Sequence, residues 1–193
     1  VASFTTTFSA NEGNSGNQSY AFSFSLSNPV DVPIEFGSSY TDGTATVADN
    51  DYLNVGGAFT VPSGVSGNIN IGNPPVILGD TKVEANEIFN VALSANNFMG
   101  RNVVFAGGGS SITNQVTINN DDNATVTLTP VGGVSQNEGN SGVTYFQFTA
   151  TVDNAVQGGF SLDFSTVDGT ATDPSDYTGG SANLTFNGTA GQA

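Results

Sequence analysis

The sequence predicts an all-β protein of two tandem antiparallel β-sandwiches, and three observations support this prediction. Apolar residues alternate with polar ones along most of the chain, and no segment keeps a helical period over three turns. Turn signals such as Asn28-Pro29 and Asp42-Gly43 separate the alternating segments. The segment Asn11–Gly16 recurs unchanged as Asn137–Gly142, at an offset of 126 residues. A repeat at this spacing indicates units the size of a domain.

The repeat extends beyond that motif. Asp42–Thr46 recurs at the same offset as Asp168–Thr172, and after the loss of one residue Asp51-Tyr52 meets Asp176-Tyr177. We therefore predict a complete sandwich over residues 1–122 and a second over 123–193 that lacks its last strands. The chain begins with Val1, and its second copy stops about 50 residues before the first does. We expect either a longer protein or strands supplied by a neighbouring chain.

The strands of the first repeat follow from its alternating runs, each bounded by Gly, Pro, Asn or Asp. The expected strands are Ser3–Phe8, Tyr20–Leu26, Ile34–Tyr40, Phe59–Val61, Ile69–Ile71, Val76–Leu78, Ile88–Leu93 and Ile112–Ile118. Within Ile88–Leu93, Phe89, Val91 and Leu93 share one face, which we expect to be buried. Strands at this spacing are typical of an immunoglobulin-like sandwich of about seven strands.

The second repeat continues the same pattern. Apolar residues mark strands around Val126 and Leu128, Phe146 and Phe148, Phe160 to Phe164, and Leu184 with Phe186. The counterparts of the last two strands of the first repeat are absent. This half-sandwich should therefore expose unpaired strand edges.

The charge balance restricts the partners. The 193 residues include 17 acids and two bases, Lys82 and Arg101, for a net charge of −15. Nucleic acids and anionic membranes require clustered cations, so we expect neither as a partner. The absence of Cys and His excludes disulfides, the usual zinc sites and Cys- or His-dependent nucleophiles. No apolar run approaches the roughly 20 residues that span a bilayer. The composition is typical of a bacterial extracellular or cell-surface protein.

Most carboxylates of the first repeat lie in the expected turns rather than along strands. These acids are Glu12, Asp42, Asp49, Asp51, Asp80, Glu84, Glu87, Asp121 and Asp122. The loops of a sandwich collect at its two ends, so acids from separate loops can meet there. Calcium prefers six to eight oxygen ligands in flexible arrangements, which such a group would supply. A solvated acidic surface is the alternative, and spacing alone does not separate the two.

Five segments of the first repeat, taken together and in order, resemble the Calx-beta domain. They are Glu12-Gly13, Asp42–Ala45, Asp51-Tyr52, Asp80–Phe89 and Val116–Asp122. The resemblance covers the whole first repeat and the second as far as it extends. This family serves as the calcium sensor of sodium–calcium exchangers and recurs in integrin β4 and bacterial surface proteins.

The resemblance implies a set of calcium ligands: Glu12, Asp42, Asp80, Glu84, Glu87, Asp121 and Asp122. Gly79 and Asn120 stand where calcium-binding members carry further acids, and Lys82 interrupts the acidic run. We therefore expect one or two calcium ions, with affinity in the weak extracellular range of roughly 10⁻⁴ to 10⁻³ M. In the second repeat only Glu138 and Asp168 match the set, so we expect it to hold calcium poorly.

The resulting hypothesis is a non-catalytic, calcium-binding repeat of a surface adhesin, matrix protein or filament. An ion at Asp121 and Asp122 would stiffen the linker into the second repeat, and the partners would be other modules or neighbouring copies. One alternative is a module that binds a glycan or protein through the Asn96–Ser111 loop. Another is a filament subunit completed by strand donation from a neighbour. An enzyme with paired carboxylates is disfavoured. Such an enzyme needs two carboxyl groups with different pKa values, whereas acids grouped around a metal are all ionised. Four Asn-x-Ser/Thr sequons, at Asn17, Asn123, Asn183 and Asn187, are candidate glycosylation sites.

Overall fold

The computed structural model describes residues 1–4 and 7–192. All regular secondary structure in that part of the chain is β-strand. This confirms the all-β prediction. The chain divides into two compact units, the first with Val1–Asp80 and Ala85–Asp121 and the second with Thr81–Glu84 and Asp122–Ala193. Within the described residues there is no helix with the length and apolar character needed to cross a membrane.

The first unit is built from three sheets. Its strands are β1 (Ala2–Phe4), β2 (Phe8–Asn11), β3 (Gly16–Ser19), β4 (Ser23–Leu26), β5 (Ile34–Asp42), β6 (Tyr52–Leu53), β7 (Gly57–Val61), β8 (Gly67–Asn70), β9 (Val76–Gly79), β10 (Glu87–Asn97) and β11 (Ser111–Asn119). The largest sheet has the order β2-β11-β10-β5-β7, and the smaller ones are β1-β4-β8 and β3-β9-β6. Side chains from all three sheets form one apolar core.

Strand β10 lies in the middle of the largest sheet and supplies much of the core. It pairs antiparallel with β11 on one side and with β5 on the other. Phe89, Val91 and Leu93 are fully buried, as the alternation predicts, while the residues between them are partly exposed. The end of β5 at Asp42 also agrees with the Asp42-Gly43 turn signal.

Aromatic rings fill the space between the sheets. Phe24 of β4 and Phe36 of β5 have ring centroids 4.8 Å apart. Tyr52 stacks on Phe89 at 4.2 Å, with the rings inclined by 7°. Aromatic pairs at such distances stabilise a core by about 0.5–1.5 kcal/mol beyond the burial of their area.

The expected strand Ser3–Phe8 is wrong as a single element. β1 pairs with β4, whereas β2 belongs to the largest sheet and runs parallel to β11. Thr5 and Thr6, between them, lie outside the described residues. Changing sheets allows Phe4 and Phe8 to pack on the same buried Phe22, at 5.4 and 5.9 Å. The antiparallel sandwich of the prediction therefore contains one parallel pair.

The segment between β10 and β11 is fixed to the body of the first unit. Phe98 and Phe105 pack edge-on against Phe36, at centroid distances of 4.9 and 6.2 Å. Arg101 donates two hydrogen bonds of 2.9 Å to the Asp31 carboxylate. This ion pair holds the pKa of Asp31 below its ordinary value. The two phenylalanines of this loop therefore face the core rather than solvent.

The second unit contains four strands in its described residues. They are β12 (Val126–Val131), β13 (Gln147–Val152), β14 (Phe160–Ser165) and β15 (Ser181–Phe186), in the predicted positions. β12 pairs with β13 and β14 pairs with β15, which gives two separate antiparallel hairpin-like sheets. In addition, Val83 forms a parallel bridge with Val156.

The predicted bounds of the second repeat, and the expectation that it lacks counterparts of the last two strands, stay predictions. The Gln192 carbonyl accepts the Val152 amide at 3.2 Å, in the place where Gly67, the first residue of β8, faces Leu26 in the first unit. The described chain therefore reaches only the beginning of the β8 position. Within the described residues, β12, β13, β14 and β15 lie at the positions of β1, β4, β5 and β7 of the first unit.

Candidate metal centre

The first carboxylate group lies where β2 and β11 end. The two strands run parallel with Asn11 opposite Asn119, so the residues that follow them meet at one edge of the sheet. Glu12 follows β2, and Asp121 and Asp122 follow β11. One carboxylate oxygen from each of these three acids lies within 4.8 Å of the other two. The parallel pair therefore brings together acids from opposite ends of the first repeat.

Burial differs between the members of this group. Glu12 and Asp122 are only 4% and 6% exposed, whereas Asp121 is exposed. Asp121 accepts a hydrogen bond from the Gly13 amide at 3.0 Å and another from the Asn11 side chain at 3.2 Å. These bonds hold its carboxylate against the turn that carries Glu12. The group thus combines two buried carboxylates with one that solvent can reach.

The second carboxylate group consists of Asp51, Glu84 and Glu87, again with oxygens within 4.8 Å of one another. Asp51 and Glu87 are buried, and the Glu84 side chain is 5% exposed. The Asp51 carboxylate accepts the Thr46 amide at 2.7 Å, which fixes its position in the turn before β6. Glu87 begins β10 opposite Ile118, near the end of β11. Both groups therefore lie at the same end of the five-stranded sheet.

A lysine accompanies the second group. The Lys82 ammonium contacts the Glu84 carboxylate, and the Lys82 side chain is partly exposed. A metal ion at this group must share Glu84 with the ammonium or displace it towards solvent. The contact therefore lowers the affinity that the three carboxylates alone would give.

Asp42 belongs to neither group. Its carboxylate accepts the Tyr52 hydroxyl at 2.7 Å and the Val47 amide at 3.2 Å. Tyr52 is fully buried, and this burial, together with the hydrogen bond to Asp42, raises the pKa of its hydroxyl. In the structure Asp42 supports the turn around Tyr52, and its role as a metal ligand stays a prediction.

Asp80 and Gly79 lie beside the groups without joining them. Asp80 directly follows β9, is exposed, and is not grouped with two other acids. Gly79 packs so closely on the turn after β2 that a Cβ atom would overlap the Gly13 carbonyl oxygen. An acid at position 79 would require this turn to move. The absence of an acid at position 79 thus has a steric cause.

At the other departure from the family pattern, the backbone N–H of Asn120 donates a hydrogen bond to the Asn86 side-chain oxygen at 3.1 Å.

The second unit reproduces the tyrosine–aspartate pair. The Tyr177 hydroxyl donates to the Asp168 carboxylate at 2.7 Å, the same distance as in the first unit. This bond lowers the pKa of Asp168 and raises that of Tyr177. Glu138 is exposed. Among the described residues, neither Glu138 nor Asp168 lies in a group of three acids.

The candidate glycosylation sites are all on the surface. Asn17, Asn123, Asn183 and Asn187 are exposed. The Asn183 side chain donates a hydrogen bond of 2.9 Å to Asp163 on the neighbouring strand. Exposure satisfies a requirement for glycan attachment, and glycosylation at these sites stays a prediction.

Asp51 is the one member of the two groups that the predicted ligand set omits. The sequence gives a signal for it, because Asp51-Tyr52 recurs as Asp176-Tyr177 and the tyrosine is buried in the first unit. An acid next to a buried tyrosine is held near the core. What the sequence does not show is that the turn before β6 faces the start of β10.

Comparisons with known proteins agree with this architecture. The family model described as the Calx-beta domain matches residues 25–122 and 130–192. The chain is similar to a crystal structure of CBD12 from CALX1.2, with 18% identity, a TM-score of 0.50, and coverage of 98% of this chain and 71% of that one. It is also similar to the calcium binding domain CBD12 of CALX1.1, with 16% identity, a TM-score of 0.50, and coverage of 99% and 72%. At these identities the likeness shows the fold. The comparison with curated proteins gives no match.

Proposed function

Because the chain belongs to the Calx-beta domain family, we propose that its first repeat is a calcium-binding module. The observation that carries this proposal is the pair of carboxylate groups at the end of the five-stranded sheet where β2 and β11 end. Each group places three acids within 4.8 Å, and each contains at least two buried members. The proposed ligands are Glu12, Asp121 and Asp122 in the first group and Asp51, Glu84 and Glu87 in the second.

Electrostatics explains why these groups favour a cation. Two unit charges about 5 Å apart repel by roughly 3 kcal/mol at an effective dielectric constant of about 20. The chain carries only two basic residues against 17 acids, so its own cations cannot neutralise both groups. A bound divalent ion would supply the missing positive charge.

The chemistry of the donors favours calcium over other metals. Every candidate ligand is a carboxylate, and the chain contains neither Cys nor His for softer metals. Calcium accepts irregular sets of oxygens, whereas magnesium demands near-ideal octahedral geometry. Two groups, one of them shared with Lys82, support one or two ions of modest affinity.

Thermal unfolding tests the proposal. We expect millimolar calcium to raise the melting temperature of residues 1–193 by several degrees relative to chelator, because an ion at about 100 times its dissociation constant stabilises the fold by about 2.7 kcal/mol. Magnesium should produce a smaller rise. The variant Asp121→Asn with Asp122→Asn should remove the effect of the first group, and Glu87→Gln that of the second.

The control for these variants is Asp49→Asn, which removes one charge from an exposed turn acid outside both groups. It should respond to calcium as the parent does. Isothermal titration of the parent and of Glu87→Gln then counts the ions. An equal calcium response in all variants, or no response in the parent, would refute the site.

We also propose that calcium restrains the segment that leads from the first repeat into the second. Asp121 and Asp122 are both members of the first group. They also begin the segment that leads into the second repeat, since β11 ends at Asn119 and only Asn120 precedes them. An ion bound there would tie this segment to Glu12. Small-angle scattering should show a narrower distribution of dimensions with calcium in the parent, and no change in the Asp121→Asn, Asp122→Asn variant. An identical distribution with and without calcium in the parent would exclude stiffening.

The biological setting that fits these properties is a non-catalytic structural or adhesive repeat on a bacterial cell surface. The tandem repeat and the acidic surface support this proposal, and extracellular calcium is abundant enough for sites of modest affinity. The partners would be further modules of the same protein or neighbouring copies. Labelling of intact source cells with an antibody against the first repeat tests the location, and labelling only after lysis would contradict it.

A further inference from the structure

A line of side-chain hydrogen bonds runs along the parallel pair of β2 and β11 and ends at Asp121. In β2, Ser9 and Asn11 are exposed and share one face, because side chains alternate between the two faces of a strand. Asn119, at the end of β11, lies opposite Asn11. Asp121 follows two residues later, beyond the end of the strand. Four polar side chains are therefore brought together beside the first carboxylate group.

Each bond of this line sets the orientation of the next side chain. The Ser9 hydroxyl donates to Asn119 Oδ1 at 3.1 Å and accepts from Asn119 Nδ2 at 2.8 Å. Asn119 Nδ2 also donates to Asn11 Oδ1 at 3.4 Å. Asn11 Nδ2 then donates to Asp121 Oδ2 at 3.2 Å. Because the oxygen of the Asn11 amide faces Asn119, its nitrogen faces the carboxylate.

The other oxygen of Asp121 is held from the turn after β2. The Gly13 amide donates to Asp121 Oδ1 at 3.0 Å. Gly13 has a φ of 73°, in the left-handed region that glycine adopts without steric cost. With a donor on each oxygen, the carboxylate cannot rotate without losing a bond. An ionised carboxylate has about four acceptor positions, so both oxygens can still contact a cation.

These bonds give the copied hexapeptide a use that strand pairing does not explain. Its first three residues in the first repeat are Asn11, Glu12 and Gly13. Glu12 is itself a member of the first carboxylate group, and the residues on either side of it donate to Asp121. Three consecutive residues therefore serve one group of acids.

We propose that Asn11 is a positioning residue of the first carboxylate group, and that Asn119 and Ser9 act through it by holding its amide in the donating orientation. The inference rests on the proposed calcium-binding function. Asp121 is the exposed member of the group, so hydrogen bonds rather than packing fix its carboxylate. Removal of a partner that orients a metal ligand typically lowers metal affinity by about 10- to 100-fold.

Isothermal titration with calcium tests this role in the full chain. The background is Glu87→Gln, which disables the second group so that the first is observed alone. We expect Asn11→Ala to raise the Kd for calcium about tenfold, because Asp121 is no longer held on one side. Asn119→Ala should produce a smaller rise.

The double variant of Asn11→Ala with Asn119→Ala provides the decisive comparison. If Asn119 acts through Asn11, the double variant binds calcium no more weakly than Asn11→Ala alone, since the second change has nothing left to orient. Side chains that merely stabilised the strands would instead give losses that add.

A matched control is Asn137→Ala, which removes the same side chain from the copied hexapeptide. Asn137 is exposed, belongs to the second unit and is more remote from the acids of the first group. It should leave the Kd unchanged. Thermal unfolding in chelator should place Asn11→Ala close to the parent, because water can replace bonds that lie at the surface.

A measurement without calcium examines the hydrogen bonds themselves. In chelator, the side-chain amide signals of Asn11 in a ¹⁵N-correlated NMR spectrum should shift in Asn119→Ala and in Asp121→Asn. Unchanged signals in both variants would mean that the line of bonds does not form in solution, which would overturn the proposal.

The outcomes separate this inference from the calcium module on which it rests. An unchanged Kd in Asn11→Ala, with calcium bound normally by the parent, would overturn the positioning role and leave the module intact. Additive losses in the double variant would overturn the action of Asn119 through Asn11. Absence of calcium binding in the parent itself would refute the module and, with it, this role.

Discussion

The two repeats respond differently to the same amino-acid sequence. The hexapeptide Asn11–Gly16 joins two strands in the first unit, and its copy Asn137–Gly142 forms none in the second. The segment is almost wholly polar, so it has little strand propensity of its own. Its strands form where β9 and β11 are available to pair with them. Only Asn11 and Gly16 of the hexapeptide lie in these strands, and most other residues of β2 and β3 are replaced in the second repeat. Flanking residues and pairing partners therefore both differ between the two units.

The turn that holds the tyrosine–aspartate pair behaves in the opposite way. The hydroxyl of Tyr52 reaches Asp42, ten residues away, and that of Tyr177 reaches Asp168, nine residues away. The bonds that the two turns share are local, so the turn forms in both units, although Tyr52 is buried and Tyr177 is not. The first unit adds hydrogen bonds that join Thr44 and Ala45 to Ile88 of β10. The tyrosine–aspartate bond is therefore preserved whether the tyrosine is fully buried or partly exposed.

Matched core substitutions should produce the largest difference between the units. Phe36 is fully buried, and its counterpart Leu162 on β14 is half-buried. We expect Phe36→Ala to lower the free energy of unfolding of the first unit by about 3–5 kcal/mol, because it leaves a cavity. Leu162→Ala should cost the second unit only about 1 kcal/mol, since it removes contacts that are already incomplete. Hydrogen exchange during urea unfolding reports each unit separately, and equal losses would contradict the comparison.

Removal of the tyrosine hydroxyls should have a smaller effect, again larger in the first unit. Tyr52→Phe removes the charge-assisted hydrogen bond from the buried Tyr52 hydroxyl to the exposed Asp42 carboxylate, at a cost of about 1.5 kcal/mol. Tyr177→Phe removes a bond of the same length near solvent, and we expect a loss below about 0.5 kcal/mol. Both variants are compared with the parent by urea unfolding in chelator, which keeps calcium out of the measurement. Equal losses would show that burial does not set the strength of this bond.

Alkaline pH should separate the two tyrosines further. Burial and the hydrogen bond to Asp42 raise the pKa of Tyr52, so the folded state keeps a proton that an unfolded tyrosine loses near pH 10. The contribution of Tyr52 to the free energy of unfolding is complete below about pH 10. It is lost as pH rises, by at most about 1.4 kcal/mol per pH unit for one group. Tyr52→Phe should flatten this slope for the first unit, although Tyr40, whose pKa burial also raises, keeps part of it.

The control for the alkaline experiment is Tyr177→Phe, which should leave the slope of the first unit unchanged. Urea unfolding from pH 9 to pH 11.5 measures the slope. A steeper slope in Tyr52→Phe than in the parent would reverse the sign of the argument.

The sequence predicts the strands whose apolar residues alternate and misses those that depend on partners. Ile34–Asp42 and the buried face of β10 follow from periodicity, since each strand covers the core with every second residue. Gly16–Ser19 contains no apolar residue, and Tyr52–Leu53 is too short to show a period. The parallel pairing of β2 with β11 could not be predicted either, because the residues of a strand do not indicate which other strand it will pair with.

The candidate site shows the same limit. Glu12, Asp121 and Asp122 were expected to converge on the basis of the family resemblance, and the structure groups them. Asp51 joins Glu84 and Glu87 from a distant part of the sequence, and β6, which follows Asp51, pairs with β9. The acids that can share a metal ion are those whose loops lie next to each other. The order of the strands in the sheets determines which loops are neighbours, and residue type alone does not reveal it.

The parallel pair of β2 and β11 also determines how the first unit meets a mechanical load. β2 lies near the beginning of this unit and β11 near its end, and four positions of the two strands are paired side by side. A pull on the chain between Phe8 and Asn119 drags the strands past each other along their length. Their hydrogen bonds then carry the tension together, whereas a hairpin pulled from its open end loses its bonds one after another.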